Sequence, residues 1–371
     1  FTLATVSVIS FARGIPGPDL LPTAEFGECA RRAAAQDGAR ALNYGPPSGY
    51  PPLRDWVARR HSVAPERVVL TTGSLQGFNF LARHALSLDA TVLVEAPCYD
   101  RSLTILRRLG VKADSIPLRE DGIDLDALAD ALARVSGGKL VYTIPTFQNP
   151  SGRTLSRENR LRLLALARDA GALVLEDDPY GLLRFAGEPL PTLFELAAGD
   201  GVVFLSSFSK TVAPGIRVGY LVLPEALVPP IEGFVLENYV SPSVFVQAAL
   251  HEFIAGGFFE PGVERIREGL RLRRDAMLAA LAREVPRGAR WNEPAGGYFL
   301  WLELPTGVDA ATVLAAAGSV DVTFVPGSDF YFGEGGEEAA RLAFSFASAA
   351  EIDEGISRLA ELVSEAAAVA A

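Results

Sequence analysis

Between residues 67 and 209 the chain keeps one rhythm, a short and almost uninterrupted apolar run followed by a helical stretch. The runs are RVVLTTG at 67–73, TVLVEAP at 91–97, KLVYTIP at 139–145, ALVLEDD at 172–178 and GVVFLSSFS at 201–209. A strand with one face in water alternates apolar and polar residues. These runs do not, so both faces must be covered, as in parallel strands joined by helices. SLQGFNFLARHAL at 74–86, the stretch through SLTILRRLG and SRENRLRLLALARDAG at 156–171 read as the connecting helices, with Ser156 as an N-cap. The pattern predicts an α/β architecture with a mainly parallel sheet and flanking helices.

The rhythm changes after about residue 240. A long helical region is expected over 243–283, followed by the strand-like runs GYFLWLELP, DVTFVPG and ARLAFSFAS and a closing helix at 351–369. This part reads as a smaller α+β domain. The first 40 residues are rich in Pro and Gly, with one helix near 24–36. The expected division is an N-terminal segment, 1–40, packing over the active site, a large domain at 41–242 and a small C-terminal domain at 243–371. Two to three domains also suit the length, at roughly 150 residues each.

Charge excludes whole classes of partner. With 34 basic and 45 acidic residues the net charge is −11, unsuited to a nucleic-acid or anionic-membrane surface, though a local anion pocket stays possible. Cys29 and Cys98 cannot build a disulfide framework or a four-cysteine zinc site, and His61, His84 and His251 lie far apart, so no metal is expected. No uncharged run of 18 residues offers a membrane span. The opening FTLATVSVISF lacks a basic leader and a cleavage signal, and a cytoplasmic location is expected.

Lysine is scarce, occurring only at Lys112, Lys139 and Lys210, which shortens the choice of an amine nucleophile. Lys112 and Lys139 stand at ordinary strand entries. Lys210 follows a strand, where open α/β sheets place their ligands. Ser207, Ser209 and Thr211 surround it with hydroxyls and Arg217 lies seven residues on, a set able to hold a phosphate. A reactive amine beside a phosphate cradle suggests pyridoxal 5′-phosphate held as a Schiff base. That cofactor needs an acid at its ring nitrogen, and EDDPYG at 176–181 supplies one. Neighbouring strand residues point to opposite faces, so only one of Asp177 and Asp178 can serve.

With these residues in view, the chain resembles the class I/II aminotransferases, fold-type I enzymes that use pyridoxal phosphate. The branch containing 2-aminoadipate and kynurenine aminotransferases is the most similar. The resemblance rests on nine ordered stretches: NYGPPSGYPPLR at 43–54, TTGSLQG at 71–77, EAPCYD at 95–100, TFQNPSGRTLS at 146–156, EDDPYG, SFSKTVAPGIRVGY at 207–220, GGYFLW at 296–301, FVPG at 324–327 and RLAFS at 341–345. It implies that Lys210 carries the cofactor and shuttles the α-proton, with Asp177 at the pyridine nitrogen. Tyr180 and Asn149 would bond the ring oxygen and Tyr99 would stack on the ring. Ser74, the backbone at Leu75, Ser207, Ser209 and Arg217 would hold the phosphate. Arg341, with Asn149, would grip the α-carboxylate of an amino-acid substrate, and a 2-oxo acid would accept the amine. Tyr44 would come from the neighbouring subunit, which implies a homodimer with shared sites.

Three places depart from that pattern. Arg13, beside Gly14 in a segment expected over the substrate, stands where a glycine is usual, and would favour an anionic side chain. Leu75 replaces a common glutamine, and Asp100 and Arg101 replace small residues after Tyr99. Transamination of an α-amino acid is the favoured reaction. A specialised lyase, cyclase or decarboxylating enzyme of secondary metabolism is the alternative on the same residues, and the effector domain of a transcription regulator a remote one.

Overall fold

The computed structural model describes residues 8–370. The opening FTLATVS, read above as part of a leaderless start, and the final Ala371 lie outside them. A short strand, β1 (Ile9–Ser10), leads into α1 (Thr23–Ala41) and α2 (Pro51–His61). The alternation expected from the apolar runs follows: β2 (Val68–Thr71), α3 (Ser74–Ser87), β3 (Thr91–Ala96) and α4 (Asp100–Leu109). Next come β4 (Ala113–Arg119), β5 (Gly122–Ile123), α5 (Leu125–Arg134), β6 (Lys139–Thr143), α6 (Arg157–Asp169) and β7 (Leu173–Asp177). The short α7 (Leu193–Leu196), β8 (Val202–Ser207) and β9 (Gly219–Val222) complete this part.

These strands form an eight-stranded sheet in the order β2-β9-β8-β7-β6-β3-β4-β5. From β8 to β4 every pairing is parallel. Only β9, against both neighbours, and the terminal β5 run the other way. Every residue of β8 and β9 is buried, as strands covered on both faces require.

Helix α6 begins where expected, with the Ser156 hydroxyl accepting from the Asn159 amide. The helical region after residue 240 is interrupted. Beyond α8 (Val228–Tyr239) it divides into α9 (Val244–Ala255) and α10 (Phe259–Glu284), because Gly257 takes φ +77° between them. The rest of the chain contains β10 (Arg290–Trp291), β11 (Phe299–Glu303), α11 (Ala310–Ala317), β12 (Val322–Thr323), β13 (Val325–Pro326), β14 (Ala339–Ala343) and α12 (Ala349–Ala370). Here β10, β11, β14 and β13 form a small antiparallel sheet.

The N-terminal segment belongs structurally to this later part. β1 pairs with β12, and the Ala343 amide donates to the Phe11 carbonyl. The segment then turns in, with Gly17 N donating to Ser345 O and Asp19 bound by the buried Arg273 at 2.8 Å.

Candidate active site

Strand register decides which side chains share a face. Asp177 ends β7 and stands two residues beyond Leu175, whose register partner on β6 is Tyr142. Leu175, Asp177 and Tyr142 therefore project to one side of the sheet. Asp177 is also the register partner of Leu205, so Ser207, two residues further along β8, joins them. Glu176 and Thr143 face the other way, where Glu176 accepts the amides of Leu193 and Phe194. Asp178, beyond the strand, accepts from Gly181 N and takes no part in the site face.

At the carboxyl ends of β2, β7 and β8 lies a cavity of about 450 Å³, the switch-point position where open α/β sheets bind ligands. Ser74, Leu75, Tyr99, Asn149, Asp177, Tyr180, Ser207, Ser209, Lys210, Arg217 and Arg341 line it, as does Gly14. A larger surface groove of about 590 Å³, between α6 and the starts of β7 and β8, is mostly aliphatic, with Arg168 and Asp200 its only charged residues.

One end of the cavity suits an anion. Helix α3 begins at Ser74, so its first amides open on the cavity with the positive end of the helix dipole. Gly73 has φ +83°, and a Cβ there would lie 2.3 Å from Arg217 Nη2, so only glycine lets the guanidinium lie across the loop. Arg217 donates to Thr72 O at 3.2 Å and to Ser209 Oγ at 3.3 Å. Ser207 Oγ donates to Ser209 Oγ at 2.8 Å, which gathers both hydroxyls beside the arginine. Thr211 lies on another face, near Trp56 and Phe259.

Lys210 is anchored through its backbone, since Tyr298 Oη donates to its carbonyl at 2.9 Å. Its Nζ donates to Gly14 O. Burial is the main force holding the ammonium down to a pKa of about 8; the positive charges of Arg341 and Arg217 add to it and Asp177 opposes. The amine is thus primed chiefly by burial, and Arg341 outweighs Arg217.

Asp177 is pushed up to about 7 by burial, against the lowering effect of a hydrogen bond from Tyr142. Its Oδ2 accepts that bond at 2.9 Å, while its Oδ1 is buried and has no partner. A buried carboxylate oxygen without a donor, on a residue that lines a cavity, is costly unless a ligand supplies one. A protonated ring nitrogen is such a donor. Together with the neutralisable lysine and the anion cradle, this oxygen makes the site fit pyridoxal phosphate.

Arg341 lies within β14, opposite Trp301 of β11 and Val325 of β13. It is buried, and burial lowers its pKa. The rings of Phe299 and Phe330 sit 4.4 and 5.0 Å from its guanidinium carbon and offset part of the desolvation. Nη1 donates to Asn149 Oδ1 at 3.0 Å and Nη2 to Ala12 O at 2.8 Å, while Nε has no partner. Tyr99 caps the start of α4, and burial lifts its hydroxyl to about 12.

Besides Thr211, two expected residues are not brought to the cavity. Arg13 is exposed, its guanidinium over the Phe346 ring at 5.0 Å. It lies between Ala12 and Gly14, which both line the cavity, and an extended segment sends alternate side chains to opposite sides. The cation expected beside the substrate is therefore not Arg13. Tyr44 is 80% exposed and lines no part of this chain's site.

Conversely, Asp329, Val325 and Phe299 line the cavity without having been singled out. Phe299 and Val325 lie inside the matching stretches GGYFLW and FVPG, whereas Asp329 lies outside them all. Asp100 and Arg101, noted as departures, form an ion pair at 3.3 Å on the cavity wall. Among the described residues no cluster of His, Cys, Asp and Glu could hold a metal, and no helix is long and apolar enough to cross a membrane.

Comparison with known proteins agrees with this chemistry. Residues 20–359 match the family model for aminotransferase class I and II. A 2-aminoadipate transaminase of Thermus thermophilus is 41% identical over 95% of this chain and 89% of its own. Aromatic-amino-acid aminotransferase 1 of Thermococcus litoralis is 34% identical over 97% and 89%. Among solved structures, an alpha-aminoadipate aminotransferase from Thermus thermophilus, complexed with N-(5′-phosphopyridoxyl)-L-leucine, matches with a TM-score of 0.93. It is 38% identical, covering 98% of this chain and 93% of that one. The cofactor is pyridoxal 5′-phosphate. A lysine, a partnerless aspartate oxygen and a buried arginine around one anion cradle, with a family match across most of the length, lead to one conclusion: the chain belongs to the class I and II aminotransferases.

Proposed function

We propose that Lys210 covalently holds pyridoxal phosphate in this aminotransferase and moves the α-proton of an α-amino acid on its way to a 2-oxo acid. The cofactor, when bound, acts as an electron sink for the bond broken at Cα. The chain's residues do the rest. Ser74, the Leu75 backbone, Ser207, Ser209 and Arg217 hold the phosphate, and Asp177 Oδ1 accepts from the ring nitrogen. Tyr99 covers the ring, while Asn149 and Tyr180 stand at its oxygen. Arg341 pairs with the substrate carboxylate and fixes the orientation of Cα–H, and the side chain extends toward Asp100, Arg101 and Asp329. Lys210, partly buried and lowered to about 8, is neutral in enough molecules near pH 8 to take that proton.

Tyr44 completes the site of a second copy, and the working unit is a homodimer. Its strong exposure, with Leu42 two residues away at 75%, supports a covered surface there. The observation that carries the reading is the meeting of Lys210, the partnerless Asp177 oxygen and Arg341 in one cavity.

The test is a single turnover. Holoenzyme mixed with an amino acid should release one equivalent of 2-oxo acid as the cofactor's visible absorbance falls, and Lys210→Ala should bind the cofactor without that absorbance. Borohydride reduction that fixes the cofactor on any residue but Lys210 overturns the assignment.

A further inference from the structure

Tyr142 has no contact with the cavity, yet its hydroxyl is the one protein group bonded to the Asp177 carboxylate among the described residues. It is fully buried on β6, with the Phe78 ring of α3 against it at 4.7 Å. A phenylalanine would fill the same volume, and a hydroxyl at such depth costs stability unless paired. Here it is paired on both sides. Ser102 Oγ donates to Tyr142 Oη at 3.1 Å, and Tyr142 Oη donates to Asp177 Oδ2 at 2.9 Å. A phenol carries one proton, so a donor on its lone pair commits that proton to the carboxylate. Ser102 is itself buried and held by the turn that presents Tyr99, its amide donating to Tyr99 O at 3.0 Å.

We infer that Ser102 and Tyr142 are positioning residues that dictate which oxygen of Asp177 meets the ring nitrogen of the cofactor. The inference rests on the proposed role of Asp177. With Oδ2 engaged by the tyrosine, Oδ1 is the oxygen left without a donor and so the acceptor for a ring N–H. Without Tyr142, Oδ2 becomes a second unpaired oxygen, and a proton taken up there competes with the ring for the same carboxylate. Burial and the neighbouring charges of Asp178 and Glu95 already favour that proton, and the Tyr142 bond opposes it.

The experiment uses Tyr142→Phe, Ser102→Ala and Asp177→Asn in the full chain. Cofactor dissociation constants, the absorbance of bound cofactor and melting temperatures with and without pyridoxal phosphate are read. Tyr142→Phe should weaken cofactor binding about tenfold and shift the absorbance, and Ser102→Ala should do so about threefold. The melting temperature of the holoenzyme should fall further than that of the apoprotein, so that the stabilisation conferred by cofactor shrinks. In the Asp177→Asn background, Tyr142→Phe should have no further effect on affinity.

Wild-type affinity and absorbance in Tyr142→Phe overturn the inference. So does an equal fall in apo and holo melting temperature, which marks a merely structural hydroxyl. Should Tyr142→Phe not fold, Ser102→Ala decides by the same measurements, since it leaves the ring in place. If Asp177→Asn itself binds and absorbs as the wild type does, the role of Asp177 fails instead.

Discussion

At the scale of single residues, the site is a set of charges brought in from water and rebalanced by neighbours. Lys210 shows the sign of that effect. An amine attacks only when neutral, so capture of pyridoxal phosphate by the apoprotein should accelerate as pH rises through about 8 and level off above it. Stopped-flow absorbance across pH 6 to 10, a range chosen to bracket the ordinary lysine value of about 10.4, measures this. Because Arg341 is the leading charge in that lowering, Arg341→Gln should move the midpoint upward. The same variant removes the carboxylate's partner, and kcat/KM for amino acids should fall by about 100-fold or more. Lys210 could be singled out from sequence because lysine is scarce and this one follows a strand among hydroxyls, and Arg341 because it is a charge placed in an apolar run. Tyr142 escaped notice because an apolar strand accepts tyrosine as core, and nothing in its spelling reveals a bonded hydroxyl. Arg13 shows the opposite failure: a loop's position can be guessed, but the side a residue takes within it depends on backbone alternation.

At the scale of elements, most strands were legible because double-sided burial leaves an unbroken apolar signature. Direction was not. The GYLV of β9 is as apolar as its parallel neighbours, yet it runs against both, since its short link from β8 leaves no room for a crossover helix. β4 was missed because ADSIPLR lies near the sheet edge and is only partly buried, so it lacks the signature. The gap between α9 and α10 was a question of two glycines inside a helical pattern. Glycine also sets the junction of β2 and α3. Gly73→Ala should cost about 1–3 kcal/mol, through its positive φ and the clash with Arg217. Urea unfolding of the apoprotein measures that loss. Cofactor affinity should fall as well, since the displaced guanidinium leaves the anion cradle.

For the whole molecule, the proposed homodimer makes two measurable statements. Light scattering should return twice the 39.5 kDa chain mass. Lys210→Ala and Tyr44→Ala, each crippled alone, should restore roughly a quarter of wild-type activity when refolded together, because one site of each mixed pair then has both residues intact. No recovery on mixing would mean that Tyr44 serves no neighbouring site. Assembly was legible only through the resemblance. A single chain shows an exposed tyrosine, and exposure alone does not say what covers it.

The carbonyls of Ala12 and Gly14, which accept from Arg341 and Lys210, have a thermodynamic consequence. Both cations are stripped of much of their hydration before any ligand arrives, and the carbonyls stand in for the departed water. Binding at those two atoms is then an exchange of one acceptor for another rather than a dehydration. The barrier to entry shifts from solvent to the chain's own backbone at residues 12–14. A single stretch holds both cations, so one displacement frees the lysine and the arginine together.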